Sequence, residues 1–210
     1  MATNIIEALN WRYAVRKFSA ERIAEERIQD LLTATRLSAT SYGLQPYRLV
    51  MVNSRETREK LLPHSYGQEK VLQCSHLVVF AAQKSIGDTM VNNYIHSVST
   101  ARGVPESSLQ GLADHMKGVF AGMDSRQRRE WAHQQAHIAL GTLLTAAAAM
   151  KIDTCPMGGI EPAGYDSVLN LETLGLETSV ICALGIRHPE DTNSNLKKIR
   201  YDASEMVLTL

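Results

Sequence analysis

WAHQQAHIALGTLLTAAAAM, residues 131–150, is a stretch rich in alanine and leucine that contains no Asp, Glu, Lys or Arg. Alanine and leucine favour helix, and a helix that is apolar nearly all round must be buried by the rest of the chain or by a second subunit. The apolar part is interrupted by His137, Gly141 and two threonines and is short for a bilayer span. The stretch therefore predicts one long core helix and no membrane segment.

Shorter patterns on either side of this helix predict the remaining elements. The near-continuous apolar run at residues 76–82 is typical of a strand covered on both faces. Further strands are predicted at residues 49–52 and 179–186, and a strand followed by a loop at 153–160. Helices are predicted at 5–11, 55–62 and 165–170, twice within 87–123, and after Ser19, which would act as an N-cap. No repeat or linker divides the chain. The predicted fold class is α+β, as one domain over residues 1–210.

Composition excludes several classes of protein. The 22 basic residues are balanced by 22 acidic ones, which is not typical of a nucleic-acid binder. Three widely spaced cysteines and the lack of an apolar leader in residues 1–11 indicate reduced thiols in a cytoplasmic protein. His133 and His137 have the i, i+4 spacing of metal ligands, but no glutamate or third ligand accompanies them, so no metal site is predicted.

Basic residues are concentrated near both ends, in RYAVRKF at 12–18 and KKIR at 197–200. In a neutral chain such clusters indicate one compact anionic ligand, for example a phosphate-bearing cofactor. Arg12 and Arg16 would point to one side of an extended segment, where guanidinium groups suit phosphate. Taken alone, each cluster is also typical of a solvated surface turn. The loops at 40–43 and 156–159 could approach a ligand, yet both also fit ordinary turns.

In this order and spacing the motifs resemble the nitroreductase family of FMN-dependent oxidoreductases, near its oxygen-insensitive NAD(P)H nitroreductase and flavin reductase branch. The resemblance runs through residues 12–18, 38–47, 68–82, 120–123, Trp131, 156–159 and 196–200. It implies a nitroreductase-like α+β fold with a central, mostly antiparallel sheet flanked by helices. It also implies a homodimer with FMN at the interface. Such an enzyme would pass electrons from NAD(P)H to small-molecule acceptors (nitroaromatics, quinones or flavins) by ping-pong hydride transfer through the flavin.

The resemblance also implies roles for individual residues. Arg12, Lys198 and Arg200 would hold the FMN phosphate, and Thr40, Ser41 and Gly43 would reach the cofactor from the partner subunit. Arg16 and Lys70 would act as electrostatic stabilisers near N1 and O2, with Gln68 at the pyrimidine edge and the backbone of Gly158 and Gly159 facing N5 and O4. Tyr13, Ala14, Pro156 and Met157 would add cofactor contacts, and Tyr42 and Phe120 would form substrate-pocket walls. No catalytic side chain is predicted, because the flavin supplies the chemistry.

Three positions depart from the family pattern. Ala14 replaces a common serine, Gly67 an asparagine, and Gly158 a glutamate. The loss of these polar groups leaves an alternative open, a flavin-binding carrier or redox sensor with little turnover. A helical interaction module built on residues 131–150 is a further alternative, but it leaves the terminal cations unexplained.

Overall fold

A computed structural model describes residues 4–210 of the chain. Its helices and strands follow one another in an α+β arrangement, as the sequence predicts. The helices are α1 (Ile5–Trp11), α2 (Glu25–Arg36), α3 (Arg55–Leu61), α4 (Lys70–Gln73), α5 (Asp88–Arg102), α6 (Gln110–Ala121), α7 (Ser125–Ala149), α8 (Pro162–Val168) and α9 (Ala203–Met206). The strands are β1 (Tyr47–Val52), β2 (His76–Gln83), β3 (Asp153–Met157) and β4 (Leu176–Gly185).

The four strands form one sheet in the order β1-β2-β4-β3. Every neighbouring pair is antiparallel, which confirms the predicted sheet. The ladder between β2 and β4 shifts its register between Phe80 and Ala81, where a bulge interrupts it. Bulges bend a strand and increase its twist.

The central strand β2 is covered on both faces, which explains its unbroken apolar sequence. Val78 and Phe80 pack in a cluster with side chains of α2 and α7. Leu77 and Val79 point the other way and pack in a cluster with side chains of α3 and α8. All four are 0% exposed, and burying each side chain contributes about 1.5–3 kcal/mol.

The core helix α7 begins at Ser125, six residues before the predicted start at 131. Asp124 accepts a hydrogen bond from the backbone N–H of Gln127 at 2.7 Å, and the Gln127 side chain accepts one from the backbone N–H of Asp124 at 2.8 Å. This reciprocal capping box starts the helix. The first turns are charged and largely exposed, so they carry no apolar pattern that would have extended the prediction.

The predicted N-cap of α2 is wrong. The helix begins at Glu25, and Ala24 precedes it without a side-chain cap. The Ser19 hydroxyl instead accepts from the backbone N–H of Glu21 at 3.3 Å. By contrast Ser54 caps α3 as predicted, since its side chain accepts from the backbone N–H of Thr57.

The segment after α1 lies beside the sheet and joins the two ends of the chain. The Val15 N–H donates to the Thr154 carbonyl at 3.1 Å, and the Ser19 N–H donates to the Ile186 carbonyl at 2.8 Å. Val15 and Phe18 are buried at 0% and 4% exposure, so their side chains anchor the segment from within. The basic residues of this segment are thereby fixed next to β3 and the stretch that follows β4.

No helix among residues 4–210 combines the length and the apolar character that crossing a membrane requires.

The contact between Gly185 and Phe18 gives a stability test. A Cβ atom at position 185 would lie 2.5 Å from Cδ1 of Phe18, so we expect Gly185→Ala to lower the free energy of unfolding by about 1–3 kcal/mol through overpacking. Gly118→Ala in α6 is the control, because nothing lies within 4 Å of that position. It should raise stability by about 0.5–1 kcal/mol. Urea denaturation measures both, and a Gly185→Ala variant as stable as the parent would contradict the assigned contact.

Candidate functional site

A pocket of about 410 Å³ lies where the two ends of the chain meet, between residues 10–16 and residues 193–200. We call it the cationic pocket. Its described lining contains five cationic side chains and no acidic one, the cations being Arg12, Arg16, Lys197, Lys198 and Arg200. The basic segments near the two ends, separated by about 180 residues of sequence, therefore form one surface. Such a surface favours a compact anion.

Lys198 fixes the two walls of the cationic pocket to each other. Its Nζ donates to the backbone carbonyls of Leu9 and Arg12. Burial lowers the pKa of Lys198, and the nearby charges of Arg12 and Arg200 lower it further. Three cations thus lie close enough to repel one another, and a bound anion would relieve that repulsion.

Arg12 has donor capacity to spare. Its Nε is buried and has no hydrogen-bond partner among the described residues. A buried unpaired donor costs free energy, and a phosphate oxygen would satisfy it with a charge-assisted bond. The donor set of the cationic pocket therefore fits a phosphate group.

Trp11 and Tyr13 form an aromatic wall that a partly buried ion pair supports. The Arg187 guanidinium carbon lies 4.2 Å from the Trp11 ring centroid and 4.6 Å from that of Tyr13. The same guanidinium pairs with Asp153, with Nη2 to Oδ1 at 2.6 Å and Nε to Oδ1 at 2.9 Å. Burial, followed by the charge of Asp191, raises the pKa of Tyr13 to about 12, so its hydroxyl stays protonated.

Lys70 does not line the cationic pocket, but its charge acts on the same strand, β3, as that of Arg16. Burial raises the pKa of the Cys155 thiol, and the charges of Lys70 and Arg16 act against that rise. Both cations therefore lie near the Cys155 thiol of β3. Ala14 completes this side, since it lines the pocket and bridges to Thr154.

The turn after β3 is open and is held by Gln68. The Gln68 Nε2 donates to the carbonyls of Ser65 and Gly159, each at 3.0 Å. Gly158 and Gly159 are exposed, and a Cβ atom at either would have no atom within 4 Å. Before them, Pro156 is half-buried and Met157 is 4% exposed. The side chain of Met157 therefore belongs to the core, and its backbone alone can face a ligand.

The loop at residues 40–43 lies elsewhere, against the helices. The Gln135 Oε1 of α7 accepts from the Ser41 backbone N–H at 2.8 Å and from the Thr40 hydroxyl at 3.3 Å. Gly43 has a φ of +79°, and a Cβ atom there would lie 2.6 Å from the Tyr94 hydroxyl, so only glycine fits. None of these loop residues is among the lining of the cationic pocket.

Tyr42 and Phe120, the two predicted substrate-pocket walls, have different environments. Tyr42 is partly exposed, has a φ of 57°, and its hydroxyl lies 3.2 Å from Nε2 of His115. Phe120 is 1% exposed and packs edge-on against Trp131 with ring centroids 5.0 Å apart. Its ring is a core element and presents no face to a ligand within this chain. The prediction for Phe120 is therefore corrected, whereas Tyr42 remains a candidate.

Apart from Phe120, which lies in the core, the structure divides the predicted residues into three groups. The cationic pocket holds Arg12, Tyr13, Ala14, Arg16, Lys198 and Arg200. Lys70 and the turn of Gln68 and 156–159 lie along β3, and the 40–43 loop is separate. Sequence reasoning missed Trp11, Asn193 and Ser194 in the lining and Asp191 behind it. Asp191 left no signal in the sequence, because accepting backbone N–H groups does not constrain the type of the partner residues.

The two helical histidines are used in local contacts. Nε2 of His133 lies 2.8 Å from the buried carboxylate of Glu177, and Nδ1 of His137 lies 2.9 Å from the His133 carbonyl. Over residues 4–210, no group of three or more His, Cys, Asp or Glu is placed to hold a metal ion.

Comparison with known proteins defines the class. A protein of Staphylococcus haemolyticus provisionally named as an NAD(P)H nitroreductase is 30% identical over 218 residues, covering 99% of this chain and 97% of its own. The major NAD(P)H-flavin oxidoreductase of Aliivibrio fischeri is 29% identical, covering 100% of both chains. A solved structure from Exiguobacterium sibiricum, described as a nitroreductase-type protein in complex with FMN, superposes with a TM-score of 0.84 at 16% identity, covering 100% of this chain and 99% of that one.

The fold is that of nitroreductases. The sequence pattern described as the Nitroreductase family matches residues 9–186, and this chain belongs to that family.

Proposed function

We propose that this protein is an FMN-dependent NAD(P)H oxidoreductase. The observation that carries the proposal is the cationic pocket, in which five cations from both ends of the chain surround one space. Such a space suits a phosphate group. Membership of the nitroreductase family supports it. The relatives whose names specify NAD(P)H or FMN support the choice of cofactor and reductant.

The residues present fit the phosphate end of FMN. Arg12, Lys198 and Arg200 would hold it, because their charges already influence one another and Nε of Arg12 has no other partner. Arg offers planar, paired donors to phosphate, and Lys adds a point charge. The aromatic wall of Trp11 and Tyr13 would flank the same end, with Arg187 keeping both rings in place.

The isoalloxazine ring of FMN would lie along β3. FMN, when bound, would accept hydride from NAD(P)H and deliver it to an acceptor. Arg16 and Lys70 keep positive charge beside β3, where it stabilises negative charge that develops on a ligand during reduction. Gln68 holds the Gly159 carbonyl, so the N–H groups of the turn keep a fixed direction. The exposed glycines leave room for a flat ligand and, in turn, for the reductant and the acceptor.

We propose ping-pong turnover, with NAD(P)H and the acceptor using one open site in succession. The exposed turn at 158–159 supports this, because no side chain there separates two subsites. The acceptors would be flat, electron-poor molecules, that is nitroaromatics, quinones or flavins. Tyr42 would form one wall of this site from the partner subunit, held by its contact with His115.

The first experiment is an absorption spectrum of the purified protein, repeated without oxygen after addition of NADPH and then NADH. We expect flavin bands that bleach with at least one nucleotide and return with a quinone. Flavin bands that stay oxidised would contradict the proposed enzyme and favour a flavin carrier. A colourless protein that also fails to take up added FMN would overturn the cofactor itself.

Gly158 gives a test of the open turn. Because nothing lies within 4 Å of a Cβ atom there, Gly158→Glu should fold normally and place a carboxylate at the site. We expect kcat/KM for NADPH to fall about fivefold, since a like charge near the surface costs on the order of 1 kcal/mol. Leu174→Glu, at a side chain 66% exposed and remote from β3, is the control. Steady-state parameters unchanged for every substrate would contradict a role for position 158.

We also propose a homodimer with cofactor sites between the subunits. The loop at 40–43 cannot complete the cationic pocket of its own chain, since it lies against α7 and α5. One face of α7 remains open as a shallow groove lined by small and apolar residues, with Ile138 47% exposed. The C-terminal tail also exposes Ile199, Tyr201 and Leu208 at 75–79%. A second copy of the chain would cover these surfaces.

The dimer is tested by light scattering and flavin content measured on the same sample. Ile138→Glu should shift the protein toward monomer and release FMN, because a charge in the buried centre of an interface is not compensated. Leu174→Glu is again the control and should leave both unchanged. A monodisperse parent monomer that retains FMN would contradict the proposal.

A further inference from the structure

Asp191 lies directly behind the cationic pocket, at the start of the turn Thr192–Asn195 that leads into the C-terminal basic segment. It is 4% exposed. Its Oδ2 accepts from the backbone N–H groups of Arg16 at 2.8 Å and Lys17 at 3.1 Å. Its Oδ1 accepts from the backbone N–H of Asn193 at 3.2 Å. One carboxylate therefore joins the N-terminal basic segment to the turn that carries the C-terminal one.

The two segments joined in this way form the walls of the cationic pocket. A further backbone contact, from the His188 N–H to the Lys17 carbonyl at 2.9 Å, lies on the same side as Asp191. Lys198 bridges the opposite side through the carbonyls of Leu9 and Arg12. The relative position of Arg12, Arg16 and the C-terminal cations thus depends on a carboxylate that does not itself line the pocket.

A carboxylate suits this position better than an amide does. Both of its oxygens accept, so it can take all three N–H groups as charge-assisted bonds. Its negative charge also offsets the repulsion among the cations in front of it. Burial by itself would raise the pKa of Asp191, but donation from the Lys17, Arg16 and Asn193 backbone lowers it overall, so the group is ionised at neutral pH.

We propose that Asp191 is a positioning residue that sets the affinity of the cationic pocket for phosphate, and thereby the preference of the protein for FMN over riboflavin. The inference rests on the proposed function, in which this pocket holds the FMN phosphate. Asp191 acts through the backbone of Arg16, Lys17 and Asn193 and touches no ligand. Its effect should therefore appear in the phosphate-dependent part of flavin binding.

The test compares two flavins that differ by the phosphate alone. Protein stripped of flavin is titrated with FMN and with riboflavin, and quenching of flavin fluorescence gives each Kd. Asp191→Asn keeps the shape but removes the charge and turns one acceptor into a donor. We expect the Kd for FMN to rise about 10- to 100-fold, as for loss of hydrogen bonds to a charged group. The Kd for riboflavin should stay within about twofold.

Asp166→Asn is the matched control. Asp166 also accepts a backbone N–H from another element, that of Thr178 at 2.7 Å, but lies away from the pocket. It should lower the melting temperature and leave the ratio of the two Kd values unchanged. If Asp191→Asn does not fold, Asp191→Glu keeps the charge with one added methylene and should reduce the preference for FMN at least about threefold.

The outcomes separate the two proposals. A parent protein that fails to bind FMN contradicts the proposed function. A parent that binds FMN more tightly than riboflavin, with Asp191 variants that weaken both flavins equally or neither, contradicts the positioning role alone.

Discussion

The pairing of residues 14–19 with β3 and with the stretch after β4 is the contact on which the cationic pocket depends. It consists of few hydrogen bonds, among them Val15 to Thr154 and Ser19 to Ile186. Val15 and Phe18 anchor it because both side chains are buried in the core, and Gly185 leaves the space that Phe18 occupies. With these side chains turned inward, Arg16 is left exposed and Arg12 half-exposed. Because Val15 and Phe18 must be buried, the basic side chains between and before them are exposed or half-exposed at one edge of the sheet.

Clustered cations repel one another, so negative charge is needed close by to offset that repulsion. Two buried carboxylates supply it. Asp153 pairs with Arg187 under the aromatic wall, and Asp191 accepts backbone N–H groups behind the cations. Both carboxylates are 4% exposed, so solvent screens their charges poorly and they act strongly on the cations beside them. The lining of the pocket itself contains no acid. Positive charge is therefore available to a ligand, while the negative charge that stabilises the arrangement is kept out of its reach.

The sequence predicted elements where burial dictates residue type. The run at 76–82 reads as a two-sided strand because β2 is packed on both faces, and the glycine and proline at 103–105 mark the break between α5 and α6. Prediction from the sequence failed at exposed positions, where many residue types are compatible with the same structure. The first turns of α7 are exposed, and the start of the helix depends on Asp124 and Gln127. The proposed site likewise contains residues that leave a sequence pattern and residues that do not. The family resemblance suggested Arg12 and Lys198 as ligands of the proposed site. It did not suggest Asp191, because accepting backbone N–H groups leaves no pattern in the partner residues.

Phe120 and the 40–43 loop show why burial decides which side chains can serve a site. An aromatic residue near a predicted pocket fits either a wall or a core position, and only packing against Trp131 distinguishes them. The loop is the opposite case. Gly43 must be glycine because of its φ and of Tyr94, and Gln135 holds Thr40 and Ser41 through partly buried polar contacts. A loop fixed by its own chain loses little further freedom when it meets a ligand. Its polar groups are therefore well placed for the site that we propose a second subunit completes.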